Sequence, residues 1–110
     1  MKANVEVKAG VCGFVTRAAV TSEDNQYCSF EIASDCEKIR ALTAKLVEAG
    51  PVDAFQEISP AGESVVLASA QGTLKGCCAA CAVPVGLFKA MQVAAGLALP
   101  QAIAIDIATE

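Results

Sequence analysis

The chain has 110 residues, of which 55% are hydrophobic and 18% charged, and its formal net charge is −4. This size and composition predict one domain, residues 1–110, that can bury a core without disulfides. The acidic balance disfavours a nucleic-acid partner, because a phosphate backbone would have to bind against the overall field. Histidine is absent, which excludes Ser-His and Cys-His pairs and any imidazole metal ligand.

The expected location follows from the N-terminus and the cysteines. Residues 1–6 have no apolar run behind Lys2, so they are not typical of a secretory signal peptide. We also expect no membrane partner, because no later stretch has the uninterrupted apolar length that a span requires. In a reducing cytoplasm the six cysteines should remain thiols, which favours metal binding or catalysis over disulfides. A secreted, disulfide-linked protein is the alternative.

Three strands are predicted in the first third of the chain. They cover residues 2–8, 14–21 and 27–33. In the first, Ala3, Val5 and Val7 alternate with polar residues, which is the period of a half-buried strand. A glycine-flanked turn at 9–13 and a polar loop at 22–26 separate the strands, so they should pair antiparallel.

A helix is predicted after the third strand. The motif Ser-Asp-Cys-Glu at 34–37 has the form of a capping box, in which the Ser34 hydroxyl accepts from the Glu37 amide. Gly50 followed by Pro51 should end the helix. Four apolar residues recur at helical spacing: Ile39, Leu42, Leu46 and Val47.

The middle of the chain is predicted to be helical. A short helical turn should cover residues 52–58, and a further helix should open at Ser59-Pro60, because serine caps helices and proline is tolerated at the first helical position. Residues 65–67, Val-Val-Leu, fit a strand as well.

The last third predicts a buried helix and a closing strand. Residues 84–97 are apolar on nearly all sides, so this helix must be buried in the domain or in a subunit contact. After Pro100, Ile103, Ile105 and Ile107 alternate as in a strand. The predicted fold is therefore a two-layer α+β domain. Its mainly antiparallel, four-stranded sheet comprises three N-terminal strands plus the C-terminal one and is covered by helices.

The same helix predicts an interaction. A domain of this size has few layers with which to cover a helix that is apolar all round. We therefore expect a homodimer, or a protein partner, that docks through the helix at 84–97.

The cysteines carry the predicted chemistry. Cys78 and Cys81 have the two-residue spacing that suits one metal ion, an iron–sulfur cluster or disulfide exchange. Cys81 lies just before Pro84 at one helix start, and Cys36 lies in the first turn of another. Helix amides and the positive dipole end should lower the pKa of both thiols.

A fourth cysteine completes the predicted site. Cys12 lies in a glycine-flanked loop where the backbone can bring a thiolate inward. Cys12, Cys36, Cys78 and Cys81 together predict a four-cysteine site for zinc or an iron–sulfur cluster, and Cys77 is an adjacent reserve ligand.

Three other interpretations remain open. Cys28 alternates with Phe30 and Ile32, which predicts a small buried hydrophobe, and all six cysteines could be ordinary core residues. A sulfur-carrier or thiol-redox protein could use Cys81 as the nucleophile and Cys78 as the resolving thiol. The chain could also be an interaction module. The sequence leaves open whether it is an enzyme.

Five motifs spread over nearly the whole chain support a family resemblance. They are Cys-Gly-Phe at 12–14, Ser-Asp-Cys at 34–36, Cys-x-x-Cys at 78–81, Val-Pro-Val at 83–85 and Gly-Leu-Ala-Leu-Pro at 96–100. This combination resembles a family of uncharacterised small proteins from anaerobic bacteria and archaea. The resemblance implies that the cysteine loops and the proline-headed helix form one unit.

A second resemblance is local. The segment Cys-Ala-Val-Pro-Val at 81–85, followed by Lys89-Ala90, looks like the Cys-Pro-x-Pro helix start of TusA-type sulfur carriers. In that family the cysteine carries a persulfide, so the resemblance implies this role for Cys81.

Overall fold

The first third of the chain forms a three-stranded antiparallel meander, as its alternating apolar residues predict. The computed structural model describes residues 1–59 and 62–110. The strands are β1 (Lys2–Lys8), β2 (Val15–Thr21) and β3 (Tyr27–Ala33). Their register places Val5 opposite Ala18 and Ala18 opposite Ile32, so the apolar residues share one face of the sheet.

The fourth strand is β4 (Val52–Asp53) rather than the predicted C-terminal segment. It pairs antiparallel with β3, where Val52 lies opposite Cys28, and the sheet order is β1-β2-β3-β4. Gly50, with a φ of 76°, is followed by Pro51, and the chain turns back along β3 there. This tight turn delivers Val52 to the sheet edge directly.

The C-terminal segment makes no strand within the described residues. Ile103, Ile105 and Ile107 are 53%, 69% and 90% exposed, and residues 101–110 form neither helix nor strand. The prediction of a C-terminal strand is therefore wrong. Alternating apolar residues favour an extended segment, but a strand also needs a neighbouring strand with which to pair, and this segment pairs with none of the described residues. The two-layer α+β class with a four-stranded antiparallel sheet is confirmed.

Helix α1 (Glu37–Ala49) packs on β3 and begins differently from the prediction. Cys36 is its N-cap, and the Ser34 hydroxyl accepts from the Cys36 amide at 3.2 Å instead of from Glu37. The same hydroxyl accepts a 2.9 Å hydrogen bond from Thr16, which ties it to the sheet. The capping box does not form, because the helix begins at Glu37 and Ser34 lies two residues before its N-cap. The buried residues of α1 are Ile39, Leu42 and Leu46.

Helix α2 (Ala54–Glu57) follows β4 without a linker. Asp53 caps it, because one carboxylate oxygen accepts from the amides of Phe55 at 3.0 Å and Gln56 at 3.4 Å. The predicted helical turn at 52–58 is therefore divided between a short strand and one turn of helix.

Helix α3 (Val65–Thr73) begins at Ser64, whose hydroxyl accepts from the Leu67 amide at 3.0 Å. The Val-Val-Leu segment at 65–67 is therefore helical and not a strand. The predicted helix start at Ser59-Pro60 falls partly on residues 60 and 61, which lie outside the described residues.

Glu57 holds the start of α3 although it belongs to α2. It is 5% exposed, and its carboxylate accepts from the amides of Val65 at 2.6 Å and Val66 at 2.8 Å. It also accepts from the Ser64 hydroxyl at 3.1 Å. Together with the Ser64 cap, Glu57 gives acceptors to the first three amides of α3, which no helical carbonyl can reach.

Helix α4 (Val83–Ala94) is the buried helix that the sequence predicts. It packs across β1 and β2 and against α3. Gly86 permits this approach, since a Cβ there would lie 2.5 Å from Cγ2 of Val7. The buried residues of α4 are Val83, Pro84, Gly86, Leu87, Ala90, Met91 and Ala94. Most of its circumference is therefore covered within the chain.

One segment, Gly76–Ala94, meets the length and composition criteria for a membrane span, contrary to the prediction that no stretch does. This is weak support for a span, because a core helix meets the same criteria. The segment contains a 3₁₀ turn (Gly76–Cys78) and then α4, whose 12 residues rise about 18 Å against a hydrocarbon thickness of about 30 Å. Its buried residues belong to the compact core of the domain.

Candidate functional site

All six cysteines lie in the described part of the chain, and all are free thiols. Cys28 is fully buried in the core, where its thiol lies 3.8 Å from the carbonyl oxygen of Met91. It therefore fills the core as a small hydrophobe, as its position in the strand predicts. The four predicted ligands come from the loop after β1, the start of α1 and the segment before α4.

Cys36 marks the amino end of α1. Its carbonyl accepts the first helical hydrogen bond, from the Arg40 amide at 2.9 Å. The side chain is half-buried against the core, but its sulfur accepts no hydrogen bond from the helix amides. The residue thus occupies the predicted helix start without the predicted amide contact.

Cys78 and Cys81 lie on consecutive turns that lead into α4. The Cys78 amide donates to the Lys75 carbonyl at 3.2 Å, and the Cys81 amide donates to the Cys78 carbonyl at 3.1 Å. Both side chains are half-buried against the core, whereas Cys77 is exposed. The turn therefore directs the side chains of the predicted pair inward and that of the reserve ligand outward.

Lys38 joins two of these segments. Its ammonium lies 3.3 Å from the sulfur of Cys78, within hydrogen-bond reach for a sulfur acceptor. Since Lys38 follows Cys36 by two residues in α1, this contact brings the start of α1 to the turn that carries Cys78.

The thiol of Cys81 is affected by all three other predicted ligands. Burial raises its pKa above the ordinary value of 9.0, and charge on Cys12, Cys78 and Cys36 raises that pKa further. The Val83 amide, a donor to the sulfur, acts in the opposite direction. The predicted lowering of the Cys81 pKa is therefore wrong, because burial and neighbouring thiolates outweigh one amide.

The effect of the other three thiols on the pKa of Cys81 bears on how the four sulfurs are arranged. Interactions between charges weaken with distance and are screened by water and salt. The three thiols act on Cys81 although they come from distant parts of the sequence.

Cys12 is the most exposed of the four. It lies in a tight turn in which the Gly13 amide donates to the Gly10 carbonyl at 2.9 Å. Both glycines have positive φ values, 76° and 91°, which other residues rarely adopt. The turn leaves Cys12 exposed to solvent.

The sulfurs do not form a closed ligand set as they stand. Within residues 1–59 and 62–110, no three cysteine, aspartate or glutamate side chains are grouped closely enough to hold a metal ion. Cys36, Cys78 and Cys81 would have to move closer together, and the exposed Cys12 turn would have to move inward, to complete a four-ligand site.

A cleft borders Cys81. It has a volume of about 410 Å³ and lies between α3 and the start of α4. Leu67, Leu74 and Pro84 line it together with Cys81, so its walls are mainly apolar. Cys81 therefore borders a cleft that is open to solvent.

Lys38 and Glu57 lie outside the motifs from which the site was predicted. Lys38 carried a signal, because it follows Cys36 within the first helical turn and a cation beside a thiolate is a familiar pairing. Glu57 carried none, since its partners lie in the next helix and their proximity depends on the intervening turn.

Comparison with known proteins gives one match. No curated protein and no solved structure matches the chain. The sequence model of one family, described as a family of unknown function, matches residues 3–107. This confirms the predicted resemblance to an uncharacterised family that covers nearly the whole chain. The chain therefore belongs to the family DUF6951.

Proposed function

We propose that this protein binds zinc or an iron–sulfur cluster through Cys12, Cys36, Cys78 and Cys81. One observation supports the proposal most strongly: the ammonium of Lys38, two residues after Cys36, lies 3.3 Å from the sulfur of Cys78, and Cys81 follows Cys78 by three residues. Thiolates are the ligands that both zinc and iron–sulfur clusters prefer, and a set of four satisfies either.

Electrostatics supports a cation at this position. Thiolates repel one another, which is why charge on the other three thiols adds to the effect of burial and raises the Cys81 pKa. A bound metal ion reverses this effect, because it attracts each thiolate and displaces the protons. The arrangement is unfavourable for free thiolates and favourable for thiolates that share a cation.

Cys78 is a better fourth ligand than its neighbour Cys77. Cys78 is half-buried, contacts Lys38 and acts on Cys81, whereas Cys77 is exposed. These differences support the assignment of Cys78 to the site.

The test is the metal and acid-labile sulfide content of protein purified without oxygen. We expect bound zinc, or iron with sulfide, in the wild type. The double variant Cys36→Ser/Cys81→Ser should lose it, and the matched variant Cys77→Ser should keep it. Unchanged metal content in the double variant, or equal loss in Cys77→Ser, contradicts the proposal.

A second candidate is a sulfur-carrier or thiol-redox function with Cys81 as nucleophile and Cys78 as resolving thiol. The Val83 amide donor and the cleft beside Cys81 favour it, since they offer anion stabilisation and access. The raised Cys81 pKa opposes it, because less thiolate is present at neutral pH. Alkylation of metal-free protein at mildly acidic pH distinguishes the candidates: a carrier requires Cys81 to react far faster than the other thiols.

The setting of the protein is proposed on the same basis. Free thiols in a metal site require a reducing compartment, which supports a cytoplasmic location without a membrane or nucleic-acid partner.

Docking of a second copy or another protein on the helix at 84–97 is also proposed. Val85, which is 44% exposed, is the apolar side chain that α4 offers for such a contact.

A further inference from the structure

The C-terminal segment, residues 101–108, has the sequence of a strand and no partner among the described residues of its own chain. Its side chains Ile103, Ile105 and Ile107 alternate with small or acidic ones and are 53%, 69% and 90% exposed. β-branched residues favour strands, and three large apolar side chains in a row are costly to leave in water. The family match extends to residue 107, so these isoleucines belong to the matched region.

The sheet offers one edge that suits this segment. In the order β1-β2-β3-β4, β1 lies at one edge and pairs only with β2 among the described residues. The opposite edge strand, β4, has two residues and is too short to accept a strand of this length. The inner-face residues Val5 and Val7 of β1 are only half-buried, although α4 packs over them. The β1 edge therefore has both free backbone groups and incompletely covered apolar side chains.

The two strands match in length. β1 has seven residues, which span about 23 Å in a strand. Residues 101–107 cover the same length when extended. The backbone groups of one could therefore pair with those of the other along the whole edge.

The faces and charges match as well. If the isoleucines lie on the inner face beside Val5 and Val7, Asp106 lies on the outer face, where β1 presents Lys2 and Lys8. Glu6 on that face is already paired with Arg17 on β2 at 2.9 Å. The lysines therefore set the charge of this edge, and the acidic segment complements them.

We propose that residues 101–108 of one copy pair as an added strand with β1 of a second copy, reciprocally, in a symmetric dimer. The occupant is a second copy because the segment stays exposed in its own chain and matches the β1 edge in length, apolar face and charge. The exchange buries three isoleucines in each copy and pairs the free backbone groups of both β1 edges.

Sedimentation velocity over a wide concentration range tests the proposal with two variants of one exposed segment. Ile105→Asp places a charge on the inner face, whereas the control Ala104→Asp places the same charge on the outer face. Neither side chain is buried in the single chain, so both variants should fold, which circular dichroism verifies.

We expect the wild type and Ala104→Asp to sediment as dimers and Ile105→Asp as a monomer. Hydrogen exchange should show that the β1 amides are protected in the dimers and exchange faster in Ile105→Asp. A monomeric wild type, a dimer that survives Ile105→Asp, or equal dissociation of both variants overturns the proposal. The first of these results would mean that the segment stays unpaired or folds on its own chain. The second would place any dimer on another surface, such as α4.

Discussion

The buried carboxylate of Glu57 is the part of the fold whose loss should be the most informative. The change to test is Glu57→Gln, which keeps the shape of the side chain. It replaces one carboxylate oxygen with an NH₂ group, which cannot accept a hydrogen bond. The carboxylate receives the amides of Val65 and Val66 on different oxygens, so the variant must leave one amide facing a donor.

The magnitude follows from these contacts. A buried donor left without an acceptor costs about 1–3 kcal/mol. Loss of the negative charge at the start of α3 removes roughly a further 0.3–1 kcal/mol of dipole interaction. We therefore expect Glu57→Gln to lower the free energy of unfolding by about 1–4 kcal/mol, which is a large part of the stability of a small domain.

Urea denaturation followed by circular dichroism measures this change, and Glu63→Gln is the matched control. Glu63 lies next to the Ser64 cap and is exposed, so its substitution removes a nearby charge without burying an unsatisfied donor. We expect the control to change stability by at most about 0.5 kcal/mol. If both variants lose the same small amount, the buried carboxylate does not hold the helix start and the reasoning is refuted.

Two further predictions concern the core and the thiols. Gly86→Ala should destabilise the fold by roughly 1–2 kcal/mol, because overpacking against Val7 outweighs the gain in helix propensity. Adding Val7→Ala should recover part of this loss, and strictly additive effects in urea denaturation would argue against the contact. Folding raises the pKa values of Cys28 and Cys81 above 9.0, so their contribution to stability is complete below that pH and is lost as pH rises through the raised values. Thermal denaturation of metal-free protein should show this decline above about pH 9.0, and a flat profile would contradict it.

Elements that are marked by the pattern of their own residues could be predicted from the sequence. Alternation identifies β1 and β3 at the positions where they form, and the apolar run identifies α4. The fourth strand could not be predicted in this way. The two residues of β4 are too few to show a period, and the alternation of Ile103, Ile105 and Ile107 indicates a strand but does not name its partner.

The site shows the same division. Cysteine spacing and helix starts pointed to Cys36, Cys78 and Cys81, and the structure packs all three at the edge of the core. The sign of the electrostatic effect could not be predicted, because it depends on how deeply Cys81 is buried and on which thiols come near it. Both the burial of Cys81 and the identity of its neighbours depend on contacts between segments that are far apart in the sequence.

The packing of α4 on β1 joins the two ends of the chain, and this has a consequence for the order of folding. The strand pairings of the meander connect neighbours in the sequence, whereas the contact between α4 and β1 closes a loop of most of the chain. Contacts of such high sequence separation form late, because the loop-closure entropy must be overcome first. During synthesis the hairpins should emerge with their inner face uncovered until α4 has been made. Cys81 directly precedes α4, so it should meet the other thiols only in this final docking step. A ligand held by all four thiols would then be acquired by the completed domain and not by the nascent chain.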